Sequence, residues 1–317
     1  MPLQPNQPAR YWAYFNYVVA TARLIERIYP GIPALAAVVA ATPSFNALRA
    51  HPAADRPFIA RLFRSVWFTE IHLSEHSKYQ PLLPYSAPWA MVQAYYMIYL
   101  AARAYFAIHS RGVPLSHRGT LAALANDLLV CVDRFPSPWR AVCSANPATT
   151  AFALSNDPSA PPITLSNPTS SPYTGDPWQH FGLFLRTTRT RALLGAFEEW
   201  RKRSKRRRVT AATKATLLGR LPPTTLFDAM YRLRARSNYH DVDPFVFVSV
   251  TPSDGRALLQ ALLTISTYTV ALLELMVAKS GGRTWFDNQV ATFIGAPTGA
   301  PGAQLIGARW AAIRRHV

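Results

Sequence analysis

Between Thr225 and Phe245 the chain reads TLFDAMYRLRARSNYHDVDPF, which gathers Arg234, Arg236, Asn238, Tyr239 and His240 with the carboxylates of Asp241 and Asp243 at one helix end. A guanidinium is a permanently charged fork of donors that grips the non-bridging oxygens of a phosphate. An imidazole with an ordinary pKa of about 6.5 is mostly neutral near physiological pH and can accept a proton. Such a set can bind and cleave a phosphodiester without a metal. A plainer reading of the same residues is a charged helix terminus, in which Arg232 and Arg236 pair with Asp228 or Asp241 at near-helical spacing.

The second chemical candidate is the run Arg201, Lys202, Arg203, Ser204, Lys205, Arg206, Arg207, Arg208. Like charges packed this densely repel one another unless a polyanion is near, and their hold on phosphates is electrostatic and salt-sensitive. A solvated segment is the alternative. The composition points the same way as the run: 34 Lys+Arg against 16 Asp+Glu give a net charge of +18, which draws the chain toward nucleic acid or an anionic membrane surface.

Glu70, His72, Glu75 and His76 place two histidines at i,i+4, the spacing of a metal-binding pair. A third ligand is not evident, so a solvated charged helix is expected there. The chain has no phosphate-binding Gly-x-x-x-x-Gly-Lys loop, no Gly-x-Gly-x-x-Gly turn and no Gly-x-Ser-x-Gly elbow, which removes nucleotide hydrolysis, dinucleotide binding and serine acylation of that type. No metal or cofactor is expected. Cys131 and Cys143 are too few for a disulfide scaffold or a four-ligand zinc site. With a start that lacks the secretory pattern, they point to a cytoplasmic protein.

The elements that must position these residues are helices. Apolar residues recur at helical spacing over Tyr11–Tyr29, Asp55–Trp67, Ala87–Ser110 and Phe181–Trp200. Ser116 is placed to cap a helix that carries Leu121, Leu124 and Leu128, and a short connector makes that helix antiparallel to the one before it. Thr224 or Thr225 caps the helix of the opening segment, which Asp243-Pro244 ends. Ser253 or Asp254 caps a long apolar helix. Ala257–Ala278 within it is long enough to span a bilayer, but Gln260, Thr264 and Glu274 favour a buried core helix. Residues 135–178 are rich in Pro, Ser, Thr and Asn and read as a long insertion or flexible loop. The fold class is all-α.

Tyr95-Tyr96, Tyr99, Arg103, Ser110, Gly112, Pro114, His117 and Leu121 together resemble the first helical hairpin of HEPN domains, and Arg234 with His240 resembles their Arg-x4–6-His motif. Other Arg–His pairs at similar spacing occur, such as Arg103/His109 and Arg111/His117, so position after the hairpin selects Arg234/His240. Ala235 stands where the family usually has a polar residue, and Arg236, followed by Ser237, is the alternative arginine. The resemblance implies a helical bundle over 84–134 and 222–281, with extra helices and a long Pro-rich loop. Residues 1–83 would be a helical extension, 135–185 an insertion, 186–221 a basic helical segment and 282–317 a basic tail.

It also implies a homodimeric, metal-independent endoribonuclease of the toxin–antitoxin or phage-defence kind, with RNA as substrate and an antitoxin or other protein as possible partner. His240 would take the 2′-hydroxyl proton while Arg234 or Arg236 holds the phosphate, with Asn238 orienting the ribose or phosphate. Tyr239 would stack a base or fill the core, and Arg201–Arg208 would bind RNA. The sequence also fits two other readings, a catalytically inactive HEPN-like RNA- or protein-binding module and a membrane-associated helical protein.

Overall fold

A helix that is apolar on all sides has to be enclosed by other elements, and Ala87–Ile108 meets that condition: Met91, Ala94, Tyr95, Ile98, Ala102, Tyr105 and Phe106 are all buried. The computed structural model describes residues 7–76, 78–79, 83, 85–109, 113–114, 116–131, 133–147, 149, 151–164, 175–205, 208–235, 237, 251–296 and 302–317. In chain order the helices are α1 (Gln7–Ile28), α2 (Ile32–Ala40), α3 (Pro43–Asn46), α4 (Arg56–His76), α5 (Ala87–Ile108) and α6 (His117–Val130). After a two-stranded antiparallel ribbon, β1 (Ala151–Phe152) and β2 (Ile163–Thr164), come α7 (Pro177–Ser204), α8 (Ala211–Arg220), α9 (Leu226–Ala235), α10 (Pro252–Gly281), α11 (Arg283–Ile294) and α12 (Ala303–Ile313). The fold is all-α.

Helix α5 is the central post, with α4, α9 and α10 packed around it and α6 along its flank. Helix α1 lies against α7 and α10, where Tyr17 stacks on Phe184 at 5.4 Å. Every described α-helix except α8 contributes residues to one hydrophobic cluster. The N-terminal helices are therefore part of the core. Helix α10 is the one described helix apolar and long enough to cross a membrane, and 78% of its apolar window is buried inside the bundle.

The core carries an ionic knot. Arg309 on α12 donates through Nε to Glu274 Oε2 at 2.7 Å, through Nη2 to Glu274 Oε1 at 2.8 Å, and through Nη1 to Glu70 Oε1. Trp67 Nε1 donates to Glu274 Oε1 at 2.6 Å and Thr267 Oγ1 to Glu70 Oε1 at 2.7 Å. Burial works against the charge on Arg309, but Glu274 and then Glu70 outweigh it and push the guanidinium above its ordinary value. Two sequence expectations change here. Glu70, read as part of a solvated helix, is fully buried, and Arg309, read as part of a basic tail, is an interior residue.

The described part of the proline-rich region is packed. Phe135, Trp139, Val142 and Cys143 are buried, and Trp139 Nε1 donates to Thr269 Oγ1 on α10 at 2.9 Å. Irregular backbone leaves carbonyls without ladder partners, and two arginines of α7 meet them. Arg186 donates to the carbonyls of Pro147 and, at 2.7 Å, Thr149. Arg189 donates to Ala145 at 3.0 Å and Pro222 at 2.8 Å.

Past Arg189 no residue of α7 is fully buried, and none of α8 is. The second half of α7 and α8 thus form an arm beside the bundle. At the caps, Ser116 Oγ accepts from Gly119 N at 3.0 Å, and Thr225 Oγ1 accepts from Asp228 N at 3.2 Å while Asp228 reaches back to Thr225 N at 2.8 Å. That reciprocal cap occupies Asp228, so it does not pair with Arg232. Helix α10 is capped by Thr251, two residues before the expected Ser253, through a bond from Asp254 N at 3.2 Å.

Candidate functional site

Three elements meet where α5, the start of α6 and the end of α9 come together. Tyr95, Tyr96, Tyr99 and Arg103 sit on neighbouring turns of α5. The Ser116 cap puts His117 at the first position of α6. Leu226, Phe227, Met230 and Leu233 bury one face of α9, which leaves Tyr231 and Arg234 half-buried.

His117 is walled by rings: Tyr99 at 4.3 Å between centroids, Tyr95 at 5.5 Å, Tyr96 at 5.8 Å, and Tyr231 stacked at 5.8 Å. Its Nδ1 lies 2.9 Å from the Tyr95 hydroxyl. Burial, chiefly, and the neighbouring tyrosines hold that phenol well above its ordinary pKa, so it stays protonated and able to donate. In the tautomer where it does so, His117 Nε2 carries the hydrogen and is itself a donor. Arg234 Nη2 donates to the Tyr96 hydroxyl at 3.2 Å, with its Cζ 5.6 Å from the Tyr96 ring. Arg103 Cζ lies 5.8 Å from the Tyr99 ring.

Burial, then the guanidiniums of Arg234 and Arg103, push the His117 imidazole below its ordinary value. The positive end of the α6 dipole acts in the same direction. The cluster thus presents two cations and a neutral imidazole among four phenol rings.

The sign of the resulting pH dependence follows from linkage. Unfolded His117 titrates near pH 6.5, whereas the folded residue resists protonation, so unfolding takes up a proton at mildly acidic pH. Stability from this group is fully present above about pH 6.5 and is lost as pH falls toward the lower folded value. The urea midpoint should fall between about pH 7.5 and pH 5, with His76 and His180, also held low by burial, contributing. His117→Gln should make that decline shallower; an unchanged slope would show that this imidazole titrates as it does in the unfolded chain.

No family model, curated protein or solved structure matches this chain. The site is therefore read from its own geometry.

Of the sequence candidates, Arg234 stands in this cluster. Arg236, Asn238, Tyr239 and His240 lie outside the described residues. Between them Ser237 is buried, its hydroxyl donating to the Leu233 carbonyl at 2.9 Å and lying 3.1 Å from Met91 Sδ on α5. Arg232 turns into the α1–α7 contact, donating to Tyr14 Oη and Thr187 Oγ1, each at 2.7 Å, and Asp241, its other candidate partner, lies outside the described residues.

Arg201, Lys202, Arg203, Lys205 and Arg208 are exposed at the end of the α7 arm, while Arg206 and Arg207 lie outside the described residues. Arg118, next to His117, reaches Glu199 on that arm at 3.6 Å, and Arg203 reaches the same carboxylate at 3.7 Å. These exposed pairs add little stability. Their value is positional, because they set the basic arm beside the start of α6.

His72 and His76 are neighbours at 4.2 Å between rings, and His72 Nδ1 meets Gln93 Nε2 at 2.7 Å. Among the described residues no group of three His, Cys, Asp or Glu side chains could hold a metal.

Sequence reasoning did not assign roles to Arg103, His117 or Tyr231. The signal available was the tyrosine–arginine stripe of α5 and the capped His117 after it, but nothing local shows that α9 delivers Tyr231 and Arg234 to the same point.

Proposed function

We propose that this chain is a HEPN-like, metal-independent endoribonuclease whose phosphate-binding centre is the cluster of Arg234, Arg103 and His117. The observation that carries the reading is the convergence of two guanidiniums on an imidazole they help keep neutral, within a wall of tyrosines. The guanidiniums supply the charge that a phosphodiester needs as its oxygens gain negative charge in the transition state. A neutral imidazole with Nε2–H adds a donor to the same oxygens, and the phenol rings offer faces on which unstacked bases can rest.

In this mechanism Arg234 holds the scissile phosphate. His240 accepts the proton of the ribose 2′-hydroxyl, the 2′-oxygen attacks phosphorus as the bond to the 5′-oxygen breaks, and the 5′-oxygen leaves with a proton taken from water. The products are a 2′,3′-cyclic phosphate and a 5′-hydroxyl. The arm carrying Arg201, Lys202, Arg203, Lys205 and Arg208 gathers RNA by electrostatics beside the cluster. A homodimer and a neutralising protein partner belong to the same reading, as does a place in toxin–antitoxin or phage-defence systems.

Purified protein should cleave mixed RNA in excess EDTA and leave cyclic-phosphate ends, and His240→Ala should lose that activity. Equal cleavage by wild type and His240→Ala would sink the assignment of His240. RNA binding with no cleavage by the wild type would leave an inactive RNA-binding module.

A further inference from the structure

A second basic site lies where α4 meets α11. Arg56, Arg61, Arg64, Trp285 and Gln289 line a cleft of about 460 Å³, a size within the range of small-ligand sites. Arg61 and Arg64 are separated by one helical turn of α4 and so share a face. Among the described residues none of the three guanidiniums meets a carboxylate. Two of them lie over rings: Arg56 Cζ lies 5.8 Å from the Trp285 centroid and Arg61 Cζ 6.0 Å from that of Phe58.

Cations gathered on one cleft repel one another and raise its potential, and an anion relieves both. The cleft also has an indole wall and the amide of Gln289, groups that suit a planar base with hydrogen-bonding edges. A nucleotide unit, with phosphate and base together, meets all of these features.

The cleft is joined to the His117 cluster by a series of contacts. The Phe58 ring that borders Arg61 lies 5.6 Å from Arg103 Cζ, Arg103 Cζ lies 5.8 Å from the Tyr99 ring, and Tyr99 lies 4.3 Å from His117. From Arg61 to Tyr99 cations and aromatic rings alternate, and beyond Tyr99 the rings of His117 and Tyr96 lead to Arg234. Proteins that hold single strands use the same two parts, positive charge along the backbone and rings on which bases stack.

We infer that the Arg56, Arg61, Arg64 and Trp285 cleft is a second binding site for single-stranded RNA, on the strand that reaches Arg234. The guanidiniums hold a phosphate and Trp285 supports a base. The inference rests on RNA being the ligand of the Arg234 cluster, but not on cleavage there.

The test is fluorescence anisotropy of a labelled 2′-O-methyl oligouridine about 12 nucleotides long, long enough to cover one single-strand site. Its blocked 2′-oxygen cannot attack, so binding is read apart from chemistry. Arg61→Gln/Arg64→Gln should bind at least about tenfold more weakly, since each charged hydrogen bond to phosphate is worth a factor of that order. Its salt slope should fall by about 0.7 for each arginine removed. Arg61→Lys/Arg64→Lys should keep the slope and recover part of the affinity, and unchanged thermal melts of both variants show that they fold.

Equal affinity and slope in wild type and the glutamine variant would overturn the cleft while leaving cleavage at Arg234 untouched. Weakened binding by that variant, with a wild type that never cleaves native RNA, would keep the cleft and remove the nuclease reading. Wild-type protein that ignores the oligonucleotide but sediments with phosphatidylglycerol vesicles would overturn the inference in favour of a membrane surface.

Discussion

Arg309→Met will destabilise the chain by about 3–5 kcal/mol, because removing one partner of a buried ionic group leaves the other charges uncompensated. Here two carboxylates, Glu70 and Glu274, lose their shared cation in a site where all three side chains are at most 2% exposed. That loss is a large part of the roughly 5–15 kcal/mol by which domains are usually stable. Urea denaturation followed by tryptophan fluorescence measures it. Arg309→Met combined with Glu70→Gln and Glu274→Gln should recover most of the loss, since neutral amides need no counter-charge. A single-variant loss below about 1 kcal/mol would mean that the carboxylates do not depend on Arg309 for their burial.

If the chain is the endoribonuclease proposed above, Arg234→Ala will lower RNA cleavage by about 10²–10³-fold, the usual effect of removing one donor that stabilises charge in a transition state. The side chain is half-buried and reaches the Tyr96 hydroxyl over the surface of α5, so its removal should leave the thermal melt close to that of the wild type. Arg234→Lys keeps the charge but loses the two-pronged fork, and should restore only part of the rate. Single-turnover cleavage of a short RNA in EDTA gives both numbers. Wild-type rates in Arg234→Ala would remove this residue from the phosphate site, whereas a fall in melting temperature matching the fall in rate would assign it a structural role.

The helices that carry the candidate site were legible because their signals are local. The apolar spacing of α5, the Ser116 cap and the Thr225 cap are each contained within a few residues, and the structure has all three. An error arose where three local signals competed. Thr251, Ser253 and Asp254 all have capping side chains, and Thr251 takes the cap while Asp254 bonds back to it. The packing of the described part of the proline-rich region was not legible for a different reason. Its backbone is satisfied by Arg186 and Arg189, which come from a helix that follows it in the chain.

The sequence by itself determined the helical class, the excess of positive charge and the identity of Arg234 as a phosphate-binding candidate, because periodicity, composition and residue chemistry need no partner to be read. Only the tertiary structure decided what each charged side chain does. Arg309 and Glu70 are 239 residues apart, and Arg232 and Tyr14 are 218 apart. The first sets a cation into the core and the second holds a half-buried one against α1, where on sequence grounds they belonged to a basic tail and a charged helix end. For His117 the same rule works in the other direction: its neighbours along the chain say nothing, while burial and then the guanidiniums of Arg234 from α9 and Arg103 from α5 hold its imidazole below its ordinary value. A side chain's charge is a property of its type, but the energy of that charge depends on burial and on which distant groups share its surroundings.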